Sequence, residues 1–234
     1  MAWGELRSGR SLERLINFSD AVVAVAITLL ALPLSDIAGP TNGQTMTDVL
    51  WANFGLIQTF VTTFIVVAIM WSVHNKVVND LGSYDSAIFW LTILWLMGFA
   101  FLPWPSRLYT GPGFDADVSG HGSSDQGGAG TLYWLTLAYI SAIGALTARH
   151  MRKHPELIEP QMRPHWAQLE SSPARFRGMA FAIVFVAAAV ACQFVYWIGS
   201  YFLLLLIPIG FLLRYPKRMV EDQDAIAEQQ EASE

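Results

Sequence analysis

The chain has little of what a soluble domain or a secreted scaffold would need. Among its 234 residues only one is cysteine, Cys192, so no intrachain disulfide can form and a disulfide-held module is excluded. Charged residues make up just 14%, too few to clothe soluble domains of this length. The formal net charge of −5 comes without the basic stripe that nucleic acid requires, so no nucleic-acid partner is expected. Residues 1–13 lack the apolar core and cleavage site of a signal peptide, and the first apolar run is expected to stay in the mature protein. What is present is apolar: 53% hydrophobic residues and 9 Trp point to an all-α, polytopic membrane protein.

Helices of about 20 apolar residues, rising ~1.5 Å each, cross a ~30 Å hydrocarbon core. By that measure six spans are predicted, over residues 14–34, 51–78, 84–102, 131–148, 176–198 and 201–213. The last is short and carries Pro208, tolerable where bundled neighbours satisfy the freed backbone groups. This divides the chain into a segment 1–13, a six-helix unit 14–214 and an acidic tail 215–234. Between spans, residues 110–130 are a Gly/Ser/Asp-rich connector with little to bury, and 149–177 form a basic one that could hold a short interfacial helix.

Lys and Arg set the orientation. With both termini inside, Arg107 alone falls outside, and the other thirteen of the 14 Lys and Arg lie on the inner side, six of them between residues 149 and 177. That asymmetry fits the positive-inside rule and an even number of spans. The expected location is the plasma membrane of a prokaryote, multi-pass, with cytoplasmic termini. The outer connectors hold Asp36, Asp48, Asp115, Asp117 and Asp125, whose field should attract cations; the plainer reading is solvated loop residues.

The first span carries the most information. Its entry holds Arg14, Phe18, Ser19 and Asp20, and an acid inside a span marks a functional site by default. At ~100° per residue, Val25, Leu29 and Leu32 share one apolar ridge, while Ala21, Ala24, Thr28, Ala31 and Ser35 form a small-residue stripe that permits close helix approach. Asp20 lies off the ridge and should face a neighbouring helix. Trp71, His74 and Asn75, at the end of the second span, return to the same depth and are the expected hydrogen-bond donors to it.

The pattern Arg14-x-x-x-Phe18-Ser19-Asp20 followed by AVVAVAITLLALPL resembles the opening of the first helix in the transmembrane protein 175 family, and Trp71-x-x-His74-Asn75 is similar to its second-span ending. Members are potassium-permeable channels of endolysosomes and of many bacteria and archaea; one six-span unit resembles the prokaryotic members. The resemblance implies a homotetramer whose first helices line a central pore. It places constriction positions on Val25, Leu29 and Leu32, with Thr28 as a candidate hydroxyl ring. Arg14, Phe18, Ser19 and Asp20, with Trp71, His74 and Asn75, would hold helices together rather than touch the ion. Val25 is smaller than the isoleucine or leucine usual at its level, which would shift the narrowest ring to Leu29 or Leu32.

Apart from any family, symmetric rings of Val and Leu would gate by dewetting, and potassium, which sheds water more easily than sodium, would be favoured without strict selection. No TVGYG-like loop occurs, no cofactor is expected beyond the permeant K+, and no enzyme chemistry is: Ser19 and Asp20 point in different directions and no nucleophile elbow is present. His150 and His154 are one turn apart, yet Pro155 follows and no third metal ligand is evident. The alternative is a proton-coupled secondary transporter using Asp20 and His74 as a relay, against which stands the lack of an internal repeat.

Overall fold

The computed structural model describes residues 6–41, 43–109 and 126–194. The predicted sixth span, the end of the fifth, the connector 110–125 and the acidic tail lie outside the described residues. Within them the fold is mostly helical, and five helices are long and apolar enough to cross a membrane: Arg10–Ser35, Phe54–Asn79, Ser86–Leu108, Gly128–Lys153 and Arg177–Phe194.

The first span is two pieces rather than one, α1 (Arg10–Leu29) and α2 (Leu32–Ser35). Pro33 explains the break, because it has no N–H to offer the carbonyl of Leu29 and its ring crowds that group. Ala31 turns back to bond the Thr28 carbonyl instead, at 3.1 Å. Leu32 therefore sits one short turn beyond the helix that carries Val25 and Leu29. At the other end, Gly9 has a φ of 58°, a conformation that favours glycine, and there the chain turns from β1 (Arg7–Ser8) into α1. β1 pairs antiparallel with β2 (Ser83–Tyr84), a two-residue ribbon that hydropathy could not reveal.

The second predicted span also divides. α3 (Met46–Ala52) opens with a reciprocal cap in which the Asp48 N–H donates to Thr45 Oγ1 and the Thr45 N–H donates to Asp48 Oδ2. It stops where the Asn53 side chain donates to the Val49 carbonyl, and α4 (Phe54–Asn79) makes the crossing. α5 (Ser86–Phe101) is capped by Asp85, whose carboxylate accepts the Ile88 N–H at 2.8 Å, and α6 (Pro103–Leu108) restarts at a proline pair. α7 (Gln126–Lys153) runs longer than expected and takes Arg149, His150 and Arg152 into its last turns. The basic connector does hold a short helix, α8 (Arg163–Ser171), before α9 (Arg177–Phe194).

Two apolar cores hold these elements. The larger joins Val23, Ala26 and Leu30 of the first span to Val67 on α4, Trp95 and Phe99 on α5, Tyr133, Trp134 and Leu137 on α7, and Phe185 and Ala188 on α9. Inside it the Tyr133 and Thr63 hydroxyls bond at 2.9 Å, satisfying two polar groups that lipid could not. α5 and α7 cross so closely at Gly98 that a Cβ there would stand 2.6 Å from Ile140. The second core, at the end where α1 begins, gathers Leu12, Leu15, Val78, Leu81, Tyr84, Ile88, Met151, Leu157, Ile158 and Trp166. It seats the connector against the α4–α5 turn, with Gly82 donating to the Leu157 carbonyl and Glu159 to that of Asp80.

Candidate functional site

α1 has two faces. Leu12, Leu15, Ser19, Val23 and Ala26 are buried against the bundle at helical spacing. The opposite side, from Arg14 and Phe18 through Ala21, Ala24, Val25, Thr28 and Leu29, is exposed, and Leu32 and Ser35 of α2 continue it. Val25, Leu29 and Leu32 are 57%, 38% and 57% exposed, so within one chain the ridge touches little of the bundle. The small-residue stripe shares that outward side, apart from half-buried Ala31. The Thr28 hydroxyl donates back to the Val25 carbonyl at 2.8 Å and the Ser35 hydroxyl to that of Leu32 at 2.6 Å, which spends their protons and leaves oxygen lone pairs outward.

Asp20 sits half-buried between the faces, and Trp71 Nε1 of α4 donates to its Oδ1 at 2.8 Å. The other two expected donors behave differently. His74 is buried and lies flat on Trp95 of α5, with ring centroids 3.7 Å apart at 15°, and its Nε2 has no hydrogen-bond partner. No hydrogen bond joins it to Asp20: Trp71 and His74 are three residues apart, so one reaches α1 while the other turns to α5. Asn75, half-buried, makes no hydrogen bond to Asp20 either. Ser19 is buried but bonds its own helix, donating to the Ile16 carbonyl at 2.7 Å, and Arg14 and Phe18 stand on the outward face. At the entry of α1, then, Asp20 hydrogen-bonds a second helix inside a single chain.

Trp95 was not singled out by sequence reasoning, although a tryptophan in mid-span rather than at an interface was the available signal. Two further acid sites were missed at the end where α1 begins. Asp80 Oδ2 accepts from Trp166 Nε1 at 2.8 Å, and Asp85 Oδ2 lies 2.8 Å from His150 Nε2. The His150 and His154 rings are 4.5 Å apart, and His154 Nδ1 is 2.9 Å from Glu156, so each histidine has a carboxylate of its own. Among the described residues no three metal-ligating side chains converge.

At the opposite end the outer acids are spent on local structure. Asp36 pairs with Arg107 at 3.1 Å, both well exposed, and Asp48 caps α3. Those two bonds favour the loop reading of these acids over a cation-attracting field. Asp115, Asp117 and Asp125 lie outside the described residues.

Comparison with known proteins finds its family match on the first three spans. A profile described as the endosomal/lysosomal potassium channel TMEM175 matches residues 14–103. A potassium channel of Streptomyces collinus is 35% identical over 99 residues, 41% of this chain and 46% of that protein. The human endosomal/lysosomal proton channel TMEM175 is 22% identical over 86% of this chain and 36% of its own length. The chain thus matches less than half the length of either curated relative. The crystal structure of a lysosomal potassium-selective channel TMEM175 homologue from Chamaesiphon minutus superposes with a TM-score of 0.67 at 19% identity, covering 88% of this chain and 100% of that one, so the fold is shared. Over residues 14–103 the chain is thus similar to the TMEM175 family, and the named relatives are ion channels and not enzymes.

Proposed function

We propose that this chain is the subunit of a potassium-permeable cation channel, a homotetramer in which four copies of α1 surround the pore. Val25, Leu29 and Leu32 would form stacked apolar rings, with the Thr28 oxygen between them, and Asp20 and Trp71 would fix the helix that carries the rings. The permeant ion is cargo, and no cofactor takes part. The observation that carries the reading is the outward face of α1, an apolar ridge beside small residues on a helix whose other face is already packed. Such a face suits close approach of a second helix, and symmetry makes one patch serve every copy. The names of the bacterial and mammalian relatives support cation permeation.

Rings of Val and Leu offer an ion no oxygen, so passage requires partial loss of hydration and the constriction dewets when narrow. Potassium holds its water less tightly than sodium and passes more readily. The rival, a proton-coupled carrier with an Asp20–His74 relay, is weakened because the two side chains are engaged on different helices, one with Trp71 and the other with Trp95.

Purified protein reconstituted into liposomes tests the proposal. We expect a tetramer by native mass spectrometry and a potassium current that follows the driving force without proton stoichiometry. A monomer, or fixed exchange of protons for potassium, would overturn it.

A further inference from the structure

The ends of α7 and α9 that meet at the α1-start side of the bundle carry two arginines, Arg149 and Arg177, that no described acid pairs. The two helices run antiparallel and touch where Gly178 faces Ala145, at a spacing that would put a glycine Cβ 2.9 Å from the alanine Cβ. One turn beyond Ala145 stands Arg149, exposed, and beside Gly178 stands Arg177, so the helical rise brings both arginines to the mouth of this seam. Among the described residues neither has an acid within ion-pair distance. Three acids at this end have other partners: Asp80 bonds Trp166, Asp85 bonds His150 and Glu156 bonds His154.

Arg177 adds a sharper sign. Its guanidinium carbon lies 5.8 Å from the Phe181 ring, and its Nε is buried without a hydrogen-bond acceptor. An arginine partly dehydrated against an aromatic ring, with an N–H left unmet, is set to donate to an anionic oxygen from outside the chain. The neighbouring Phe176, one residue before the apolar helix Arg177–Phe194, is 55% exposed, and Arg175 lies 4.5 Å over it.

We infer that the mouth of the α7–α9 seam is a binding site for the headgroup of an anionic phospholipid, with Arg149 and Arg177 taking the phosphate and Phe176 contacting the acyl chain. The inference rests on membrane embedding and stands whether or not α1 lines a pore. A phospholipid, rather than free phosphate, is favoured because the exposed aromatic ring lies beside the arginines. Juxtamembrane arginines each contribute roughly a fivefold preference for anionic lipid.

Native mass spectrometry of the full chain, released from detergent holding equal amounts of phosphatidylglycerol and phosphatidylcholine with the same acyl chains, reads the site directly. Wild type should retain phosphatidylglycerol in preference by roughly twenty-five-fold, given two arginines. Arg149→Gln with Arg177→Gln should bring retention close to parity. Arg10→Gln with Lys76→Gln, which removes two exposed charges from the same end, should leave it intact. Arg149→Gln alone, at an exposed position where folding is not at risk, should lose part of the preference. Unchanged retention in the seam variants, or equal loss in the Arg10 and Lys76 control, overturns the inference. Displacement of the lipid by millimolar inorganic phosphate, but not by chloride at equal ionic strength, would assign the site to a free anion and overturn it too.

Discussion

Trp71 Nε1 donates a 2.8 Å hydrogen bond to Asp20 Oδ1, and this bond ties α4 to the helix that carries the candidate pore ridge. An acid at that depth is costly unless a donor meets it, and Trp71 brings one on a rigid aromatic body. Trp71→Phe keeps most of the packing and removes the donor, so a loss of about 1.5–3 kcal/mol is expected. Thermal unfolding in detergent gives the measurement. In an Asp20→Ala background the same substitution should cost much less, and equal cost in both backgrounds would show that the bond does not hold the helices.

Close packing of α5 on α7 predicts a graded response to small additions. A methyl at Gly98 would meet Ile140 at 2.6 Å and Tyr139 at 3.0 Å, whereas one at Gly144 would meet Trp95 at an ordinary 3.7 Å. Gly98→Ala should therefore destabilise by about 1–3 kcal/mol through overpacking. Gly144→Ala should be neutral or slightly stabilising, since alanine favours a helix over glycine. Comparing the two melting midpoints checks the prediction, and equal midpoints would refute it.

Asp80 and Asp85, at the two ends of the α4–α5 turn, should give opposite pH signatures. Burial pushes the Asp85 carboxyl up, but the Ile88 N–H and the His150 ring, with charge on His150 and His154, outweigh it and hold the group below the usual carboxylate value. A depressed carboxyl stabilises the fold above its unfolded value and ceases to as pH falls through the folded one. For Asp80, burial dominates and Glu159 adds to it, so the carboxyl rises despite the Trp166 bond and the charge on His165. Its sign reverses: the stabilising contribution is present below the usual carboxylate value and is lost as pH rises through the raised one. Asp85→Asn should thus melt below wild type at neutral pH, with the gap closing in acid. Asp80→Asn should gain on wild type at neutral pH, and that gain should vanish in acid. Parallel pH profiles for the two variants would contradict this assignment.

How much of this was legible in the sequence depends on the range of the interaction that decides it. Span positions come from local hydropathy, and the described spans appear close to where it puts them. The partition of α1 into two faces follows from helical periodicity, which is why Val25 and Leu29 could be grouped before any coordinates. Breaks at Leu30 and Asn53 were harder, because each depends on one bond lost or gained: the amide that Pro33 lacks, and the Asn53 side chain on the Val49 carbonyl. The partner of His74 was out of reach. Depth alone set it near Asp20, whereas its stacking on Trp95 depends on how α4 is rotated against α5, which no local pattern records. The Asp80–Trp166 and Asp85–His150 bonds join residues 86 and 65 positions apart, and periodicity carries no information over such separations.

The three ridge residues should differ in their effect on permeation. Leu29 and Leu32 have longer side chains than Val25 and, in a symmetric assembly, would reach further toward the axis. Leu32 also lies past the Pro33 break, on a short turn whose orientation is set apart from α1. If Leu29 forms the proposed dewetting ring, Leu29→Asn would put amides there that can replace part of an ion's water, so conductance should rise and the preference for potassium over sodium should fall. Leu32→Asn should act the same way, while Val25→Ala, at what would be a wider ring, should change both quantities less. Single-channel recording in planar bilayers with potassium and sodium on opposite sides measures conductance and reversal potential together. If Leu29→Asn and Leu32→Asn both leave the two values where wild type has them, the outward face of α1 is not the conduit, and a lipid-facing role for that ridge takes its place.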